Sequence, residues 1–232
     1  MRIPRMAIAV SATALAFAGL TACGDDKEEK SNVGTEAKAL ADEAMSLLAG
    51  VDFQMVGGGT DEDKTPTEMD LCIRKGVDVK GTMKMDGSPV EMIQVGNDRY
   101  MKADAAFWSK LTGGEDGPNP EMGKLMAGKY MKTTAEDDDD KVSDFFDGST
   151  DGVTKGEPVD IEGKSLIPLS KKQKDGKDTT TVYVPEKGKP YPALVKIEGE
   201  TNMSMKLSRG KSKCEPAAPP ADQVVDSEAL SG

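Results

Sequence analysis

Sulfur-containing side chains are the most distinctive chemical feature of this sequence of 232 residues. It has 14 methionines and three cysteines, but no histidine. The pairs Met83/Met85 and Met203/Met205 each place two thioethers on one face of a predicted strand, because strand side chains two residues apart point the same way. Thioethers bind Cu(I), fill protein cores and line cavities for flexible apolar ligands. All three uses stay open for these pairs, with core packing and a ligand cavity favoured over copper.

The absence of histidine excludes several classes of protein. Serine-type catalytic triads, HExxH zinc sites and histidine-ligated haem all need an imidazole. The 41 acidic against 30 basic residues argue against nucleic-acid binding, which needs clusters of Lys and Arg. The acidic run at 136–140 could attract Ca²⁺, but adjacent side chains on an extended chain point apart, so a solvated loop is favoured. We therefore expect neither an enzyme nor a bound cofactor or metal.

The N-terminal residues have the layout of an export signal. Arg2 and Arg5 precede an apolar run that ends at Leu20 and is short for a membrane span of about 20 residues. The sequence Leu-Thr-Ala-Cys that ends at Cys23 resembles the bacterial lipobox. This resemblance implies a signal peptide at 1–22, a diacylglyceryl and palmitate anchor on the cysteine, and a position at the outer face of the cytoplasmic membrane. An ordinary secretory signal with an incidental cysteine is the alternative.

The two remaining cysteines, Cys72 and Cys214, form an even pair. In the oxidising environment outside the cytoplasm, such a pair predicts a structural disulfide. Two isolated thiolates are a poor metal site when no histidine completes the ligand set. The rest of the chain divides into a charged, flexible tether at 23–34, a folded domain at 35–215 and an irregular, proline-rich tail at 216–232.

Hydrophobic periodicity predicts one amphipathic helix followed by antiparallel strands. The helix covers 35–49, and two shorter helices are predicted at 121–130 and 140–146. The predicted strands cover 69–73, 77–85, 90–95, 100–102, 159–161, 166–167, 179–184, 193–197 and 203–207. This order predicts an α+β fold in which an apolar helix lies on an alternating sheet. We expect a cavity between them lined by Leu40, Met45, Leu48, Val79, Met83, Met85, Met203 and Met205.

Four stretches of the sequence also carry a family likeness, at 95–102 (VGNDRYMK), 107–108 (FW), 181–184 (TVYV) and 191–197 (YPALVKI). Together with the lipobox, tether and first helix, they resemble actinobacterial lipoproteins of the LolA-like LppX/LprG type. The resemblance implies a curved antiparallel half-barrel with helices over its concave face. It also implies that the space between sheet and helices holds acyl chains, since members carry lipids or lipoglycans to or within the cell envelope.

The expected function is therefore that of a membrane-anchored extracytoplasmic lipoprotein that binds or carries a lipid or another apolar ligand. The alternative is a lipid-tethered structural or interaction domain that docks an envelope protein and has no small-molecule ligand. A third hypothesis is a metal-binding lipoprotein that uses the methionines or the acidic run. No residue of this chain is assigned a catalytic role.

Overall fold

The computed structural model describes residues 29–85, 87–113, 117–134, 145–174, 176–210 and 215–227. The helices in these ranges are α1 (Ala37–Ala49), α2 (Ala105–Leu111) and α3 (Pro120–Met126). The strands are β1 (Phe53–Thr60), β2 (Pro66–Arg74), β3 (Asp78–Met85), β4 (Ser88–Val95), β5 (Asp98–Lys102), β6 (Tyr130–Thr134), β7 (Thr154–Lys155), β8 (Val159–Ile161), β9 (Lys164–Lys172), β10 (Thr179–Pro185), β11 (Leu194–Glu198), β12 (Asn202–Arg209) and β13 (Val224–Asp226).

These strands form a single open sheet in the order β13-β6-β5-β4-β3-β2-β1-β12-β11-β10-β9-β7, with β8 also paired to β9. The pairing is antiparallel throughout, except that β13 runs parallel to β6. Strand β1 joins the two halves of the sheet, because it pairs along its whole length with both β2 and β12. The prediction of an α+β fold built on an antiparallel sheet is confirmed.

Helix α1 packs on one face of the sheet, which we call the helix face; the other is the opposite face. Leu40 and Leu48 of α1 are 0% and 1% exposed. They belong to one apolar cluster with side chains that alternate along the strands, because every second residue of a strand points to the same face. The sheet residues of this cluster include Met55, Leu71, Ile73, Val79 and Val195.

Helices α2 and α3 cover a second part of the helix face, over strands β4 to β6. Each begins at a capping side chain: Asp104 accepts a hydrogen bond from the Phe107 N–H (2.8 Å), and Asn119 accepts one from the Met122 N–H (3.2 Å). The buried residues of this second cluster are Val90, Ala103, Trp108 and Met126. Helix α2 was not predicted, because its seven residues are too few to show a clear 3.6-residue period.

The two shorter predicted helices need correction. The helix predicted at 121–130 is wrong in its last part, since α3 ends at Met126, Gly128 has a φ of +75°, and Tyr130 begins β6. A positive φ is unfavourable for other residues and ends a helix readily at glycine. Of the helix predicted at 140–146, residues 140–144 lie outside the described ranges. Phe146 lies in a turn and is buried in the α1 cluster.

Strand β1 was not predicted, because it contains Gly57, Gly58 and Gly59, and glycine is depleted in strands. These glycines are required by the close approach of neighbouring backbones. A Cβ added at Gly57 would lie 2.0 Å from the Ser204 carbonyl oxygen, and one at Gly59 would lie 1.8 Å from that of Asn202. The run therefore belongs to the sheet for a steric reason that hydrophobic periodicity does not reveal.

The C-terminal tail, predicted as irregular, contributes a 3-10 helix (Ala221–Gln223) and the edge strand β13. Val224 of β13 packs on the opposite face, in a small cluster built on Ile93, Tyr100 and Tyr130. Burial, reinforced by a hydrogen bond to Glu91, raises the pKa of Tyr130 to about 12. The tail thus extends the sheet by one strand beyond β6.

Candidate functional site: a methionine-rich sheet face

The nine methionines on the described strands all lie on the helix face. They are Met55, Met69, Met83, Met85, Met92, Met101, Met131, Met203 and Met205. The pairing register establishes this, because residues directly opposite each other in a ladder share a face. One such row runs from Met55 through Leu71 and Gly81 to Met92, and the others are joined to it by cross-strand pairing or by spacing of two residues.

Seven of these nine side chains remain partly exposed. Met55 and Met205 are 4% exposed, whereas the others are half-buried. Met69, Met83 and Met203 pack at the margin of the α1 cluster. Met85, Met101 and Met131 pack at the margin of the α2–α3 cluster. The partly exposed thioethers therefore border both helix-covered parts of the sheet.

Glycines leave gaps beside these methionines on the same face. Gly57 pairs with both Met69 and Met205, and Gly81 pairs with Met92. A Cβ at Gly81 would lie 2.1 Å from the Asp70 carbonyl oxygen, so no larger residue fits without moving β2. The helix face thus combines adaptable apolar side chains with bare backbone.

The eight residues predicted to line a cavity all lie at the helix face. Leu40, Leu48, Val79 and Met205 are 0–4% exposed, whereas Met45, Met83, Met85 and Met203 are half-buried. Seven of them belong to or border the α1 cluster, and Met85 borders the α2–α3 cluster. The prediction missed five strand methionines of the same face, namely Met55, Met69, Met92, Met101 and Met131. The alternation of Met69, Leu71 and Ile73 was the available signal for Met69.

The structure tests the cysteine predictions only in part. Cys23 and Cys214 lie outside the described ranges, as does the acidic run at 136–140. Cys72, on β2, is disulfide-bonded. Its pairing with Cys214 stays a prediction.

A groove of about 520 Å³ lies on the sheet between β1 and β4. Most of its lining side chains belong to the opposite face, because they alternate with the core-facing methionines. The lining residues are Val56, Gly57, Glu68, Met69, Asp70, Thr82, Met83, Lys84, Gly87 and Pro89. Val56 is 43% exposed, and Glu68 pairs with Lys84 at 3.6 Å. Only Met83 belongs both to this lining and to the predicted cavity.

Ion pairs and hydrogen bonds fasten residues 145–155 beside α1. Lys38 of α1 lies 3.1 Å from Asp151 and 3.4 Å from Asp42. The hydrogen bond from Lys38 lowers the pKa of Asp151, and that from the Thr150 hydroxyl, followed by Lys38, lowers the pKa of Asp42. Lys171 donates to two carbonyl oxygens of the same segment, at 2.7 and 2.8 Å. These contacts hold residues 145–155 against α1 and β9.

Trp108 is the single tryptophan and is completely buried in the α2–α3 cluster. Its ring meets that of Phe107 edge to face, with centroids 5.4 Å apart. The indole N–H has no hydrogen-bond partner within the described part of the chain. Because Met101 and Met131 pack against the same cluster, its fluorescence should report on this end of the helix face.

Two further searches concern the described ranges alone. No helix in them has the length and apolarity required for a membrane span. Among the same residues, no group of three or more acidic or cysteine side chains is placed to hold a metal ion.

No protein-family model matches the chain, and no curated protein matches it. Among solved structures, the complex structure of Pseudomonas aeruginosa MucA/MucB is similar, with a TM-score of 0.40 and 12% sequence identity. The match covers 81% of this chain and 59% of the other, so the chain spans less than two thirds of its neighbour's length. No function carries over at this level of similarity.

Proposed function

We propose that this chain is a membrane-anchored extracytoplasmic lipoprotein whose helix face binds or carries a lipid or another apolar ligand, without catalysis. The observation that carries the proposal is the distribution of the strand methionines, all on one face and seven of nine half-buried. Contiguous apolar surface that stays accessible is typical of binding sites. Methionine is the side chain best suited to a flexible acyl chain, because it is unbranched and has three rotatable bonds.

The finer part of the proposal concerns the shape of the sheet. We propose that it is a LolA-like half-barrel of the LppX/LprG type, with α1, α2 and α3 on its concave side. The supporting observations are the open antiparallel sheet and the packing of helices on one face. Half-buried residues such as Met83 and Met203 would then contact the ligand, while Leu48 and Val79 would support the wall. Each 100 Å² of acyl surface buried would contribute about 2.5 kcal/mol before association costs.

The proposed anchor is a diacylglyceryl group on Cys23. Two acyl chains hold a protein stably at a membrane, whereas one does not. The test is the fractionation of native-host cells fed labelled palmitate. The wild-type chain should carry label and sediment with membranes, and Cys23→Ser should carry none. Equal labelling of both would contradict lipidation at this residue.

The ligand is tested with the body from Gly24 to Gly232, which contains every described helix and strand. It is purified from the native host without detergent, and its organic extract is analysed by mass spectrometry. The design compares one residue of each face of the sheet. Met203→Gln places a polar amide on the helix face, outside the groove lining, and Thr82→Gln places the same group in the groove on the opposite face.

We expect about one lipid per protein in the wild type and in Thr82→Gln, and a several-fold lower content in Met203→Gln. Denaturation curves of each variant serve as the control that it is folded. An empty wild-type extract, with no binding of added envelope lipids, would contradict the proposal. Loss of ligand in Thr82→Gln alone would also contradict it, since the ligand would then occupy the groove on the opposite face.

That groove supports the second candidate function, a lipid-tethered domain that docks an envelope protein. Val56 is exposed at its edge, and the groove is open to solvent along β1 to β4. Under this alternative, crosslinking in native cells should capture a partner whose binding Thr82→Gln weakens and Met203→Gln, outside the groove lining, does not. The same two variants therefore separate the two functions.

A further inference from the structure

Three methionines stand directly opposite one another on adjacent strands. Met92 of β4 pairs with Met101 of β5, which pairs with Met131 of β6. All three lie on the helix face and are half-buried. We call this row the methionine ladder. It was invisible in the sequence, where the pairs that drew attention, such as Met83/Met85, lie along one strand with Cα atoms about 6.7 Å apart.

The ladder has the dimensions of a three-coordinate sulfur site. Three sulfurs around a metal at about 2.3 Å, the length of zinc–thiolate bonds, lie roughly 4 Å from one another. The outer strands are about 9.6 Å apart, so Met92 and Met131 must each lean roughly 3 Å towards Met101. Methionine can do this because its side chain is long, unbranched and rotatable.

The residues beside the ladder supply no carboxylate that would favour a hard cation. On the same face and strands, the ladder is flanked by Val90 and Gln94 on β4, Arg99 on β5 and Thr133 on β6, none of which is a carboxylate. The Gln94 amide donates to the Gly96 carbonyl oxygen (3.3 Å). With thioethers as its donors, the site suits Cu(I) and not Ca²⁺, Mg²⁺ or Zn²⁺, which take oxygen, nitrogen or thiolate ligands.

The α2–α3 pair partly shields the ladder from water. Met101 and Met131 pack against the cluster that contains Trp108 and Met126. Val225 of β13 pairs with Met131 and borders the same cluster. At the other end of the row, Gly81 pairs with Met92 and leaves bare backbone beside it. The ladder is thus apolar on one side and accessible on the other.

We propose that Met92, Met101 and Met131 form a thioether site for a single Cu(I) ion. The site uses residues on β4 to β6, whereas the lipid test changes Met203 on β12, so the two proposals can fail separately. Binding forms three sulfur–metal bonds in exchange for the ligands of a soluble Cu(I) complex, with no change in oxidation state.

The test titrates the Gly24 to Gly232 body with Cu(I) under anaerobic conditions, against bicinchoninate as a competing chelator. A thiol assay first confirms that Cys72 and Cys214 present no free thiolate. Trp108 fluorescence reports binding at the ladder. The variants are Met101→Leu, which removes the central sulfur with little change in volume, and Met69→Leu, a matched half-buried methionine of the helix face.

We expect one Cu(I) per protein with quenching of Trp108, and at least a tenfold weaker affinity in Met101→Leu. Met69→Leu should bind like the wild type. No competition with bicinchoninate would overturn the proposal. Equal binding by Met101→Leu and the wild type would also overturn it, as would equal weakening by Met69→Leu, which would indicate dispersed binding to methionines.

Discussion

Asp78 at the start of β3 should make the stability of this protein depend on pH. Its Oδ1 accepts a hydrogen bond from the Gly96 N–H (2.9 Å), and its Oδ2 accepts two from the Arg74 guanidinium, including one from Nε at 3.1 Å. The carboxylate therefore joins the β2–β3 turn to the β4–β5 turn. Burial opposes ionisation, but the hydrogen bonds from Gly96 and Arg74 outweigh it and lower the pKa of Asp78.

The sign of the effect follows from that direction. A carboxyl group whose pKa is lower in the folded state stabilises the protein above its unfolded pKa of about 3.9. The contribution is lost as the pH falls through the lower, folded pKa. The Asp78 side chain is only 15% exposed and Arg74 is 41% exposed, so the pair is worth more than a surface ion pair.

The variant Asp78→Asn retains the shape and one acceptor oxygen, but loses the charge. Hydrogen bonds to charged groups contribute about 1.5–3 kcal/mol. Because an amide oxygen can still accept from Gly96, we expect a loss of about 1–2 kcal/mol in the free energy of unfolding at pH 7. For a domain of this size that corresponds to roughly 2–8 °C in Tm. Wild type and variant should converge as the pH falls through the lowered pKa of Asp78.

The assay is urea denaturation at pH 7, 5, 4 and 3, compared between wild type and variant at each pH. Asp70→Asn is the matched control, because Asp70 is exposed on β2 and hydrogen-bonds to Gln54 at 2.7 Å. Its cost should stay within about 0.5 kcal/mol. A loss in Asp78→Asn that is the same at pH 7 and pH 3 would refute the reasoning, since the charge would then not be its cause.

Two further predictions concern the sheet and the helix that covers it. Gly81→Ala should lower the free energy of unfolding, measured by thermal unfolding, by more than about 2 kcal/mol, because its Cβ would lie 2.1 Å from a backbone oxygen. Gly50→Ala should be neutral or stabilising, since the atoms nearest to its Cβ are at 3.7 Å. Equal effects of the two variants would contradict the steric argument. Leu48→Ala should lower the free energy of unfolding by about 2–5 kcal/mol and speed hydrogen exchange in α1, because Leu48 is buried. Leu47 is only half-buried, so Leu47→Ala should cost clearly less.

Much of the sheet was predictable from the alternation of apolar and polar residues. The segment predicted at 77–85 became β3 and that at 90–95 became β4, because one side of each strand is buried and the other is solvated. The presence of the first helix and its end at Gly50 were also predicted correctly, although it begins at Ala37 and not at residue 35. These elements share strong local periodicity, which is a property of the sequence alone.

The elements that were not predicted lack strong local periodicity and depend on their neighbours. Strand β1 is held by its neighbours through glycines without side chains, and β13 is a three-residue strand that exists because β6 offers an unpaired edge. The methionine ladder likewise depends on register across three strands. A sequence gives the face of each residue within a strand, but the register depends on turns and on the order of strands.

The size of the helix face gives a physical reason for its methionines. The helices have 13, seven and seven residues, so together they are about 40 Å long and, at about 10 Å across, cover about 400 Å². A path of 12 strands is about 55 Å wide and, with strands about 20 Å long, presents about 1,000 Å². More than half of this face is therefore left to other segments of the chain and, as proposed, to a ligand. Leucine or isoleucine would meet a fixed partner equally well. Methionine has the advantage where the partner varies, because it can repack around different shapes at little cost. The half-buried positions are where that advantage applies, whereas buried Met55 and Met205 could be replaced by leucine without loss of binding.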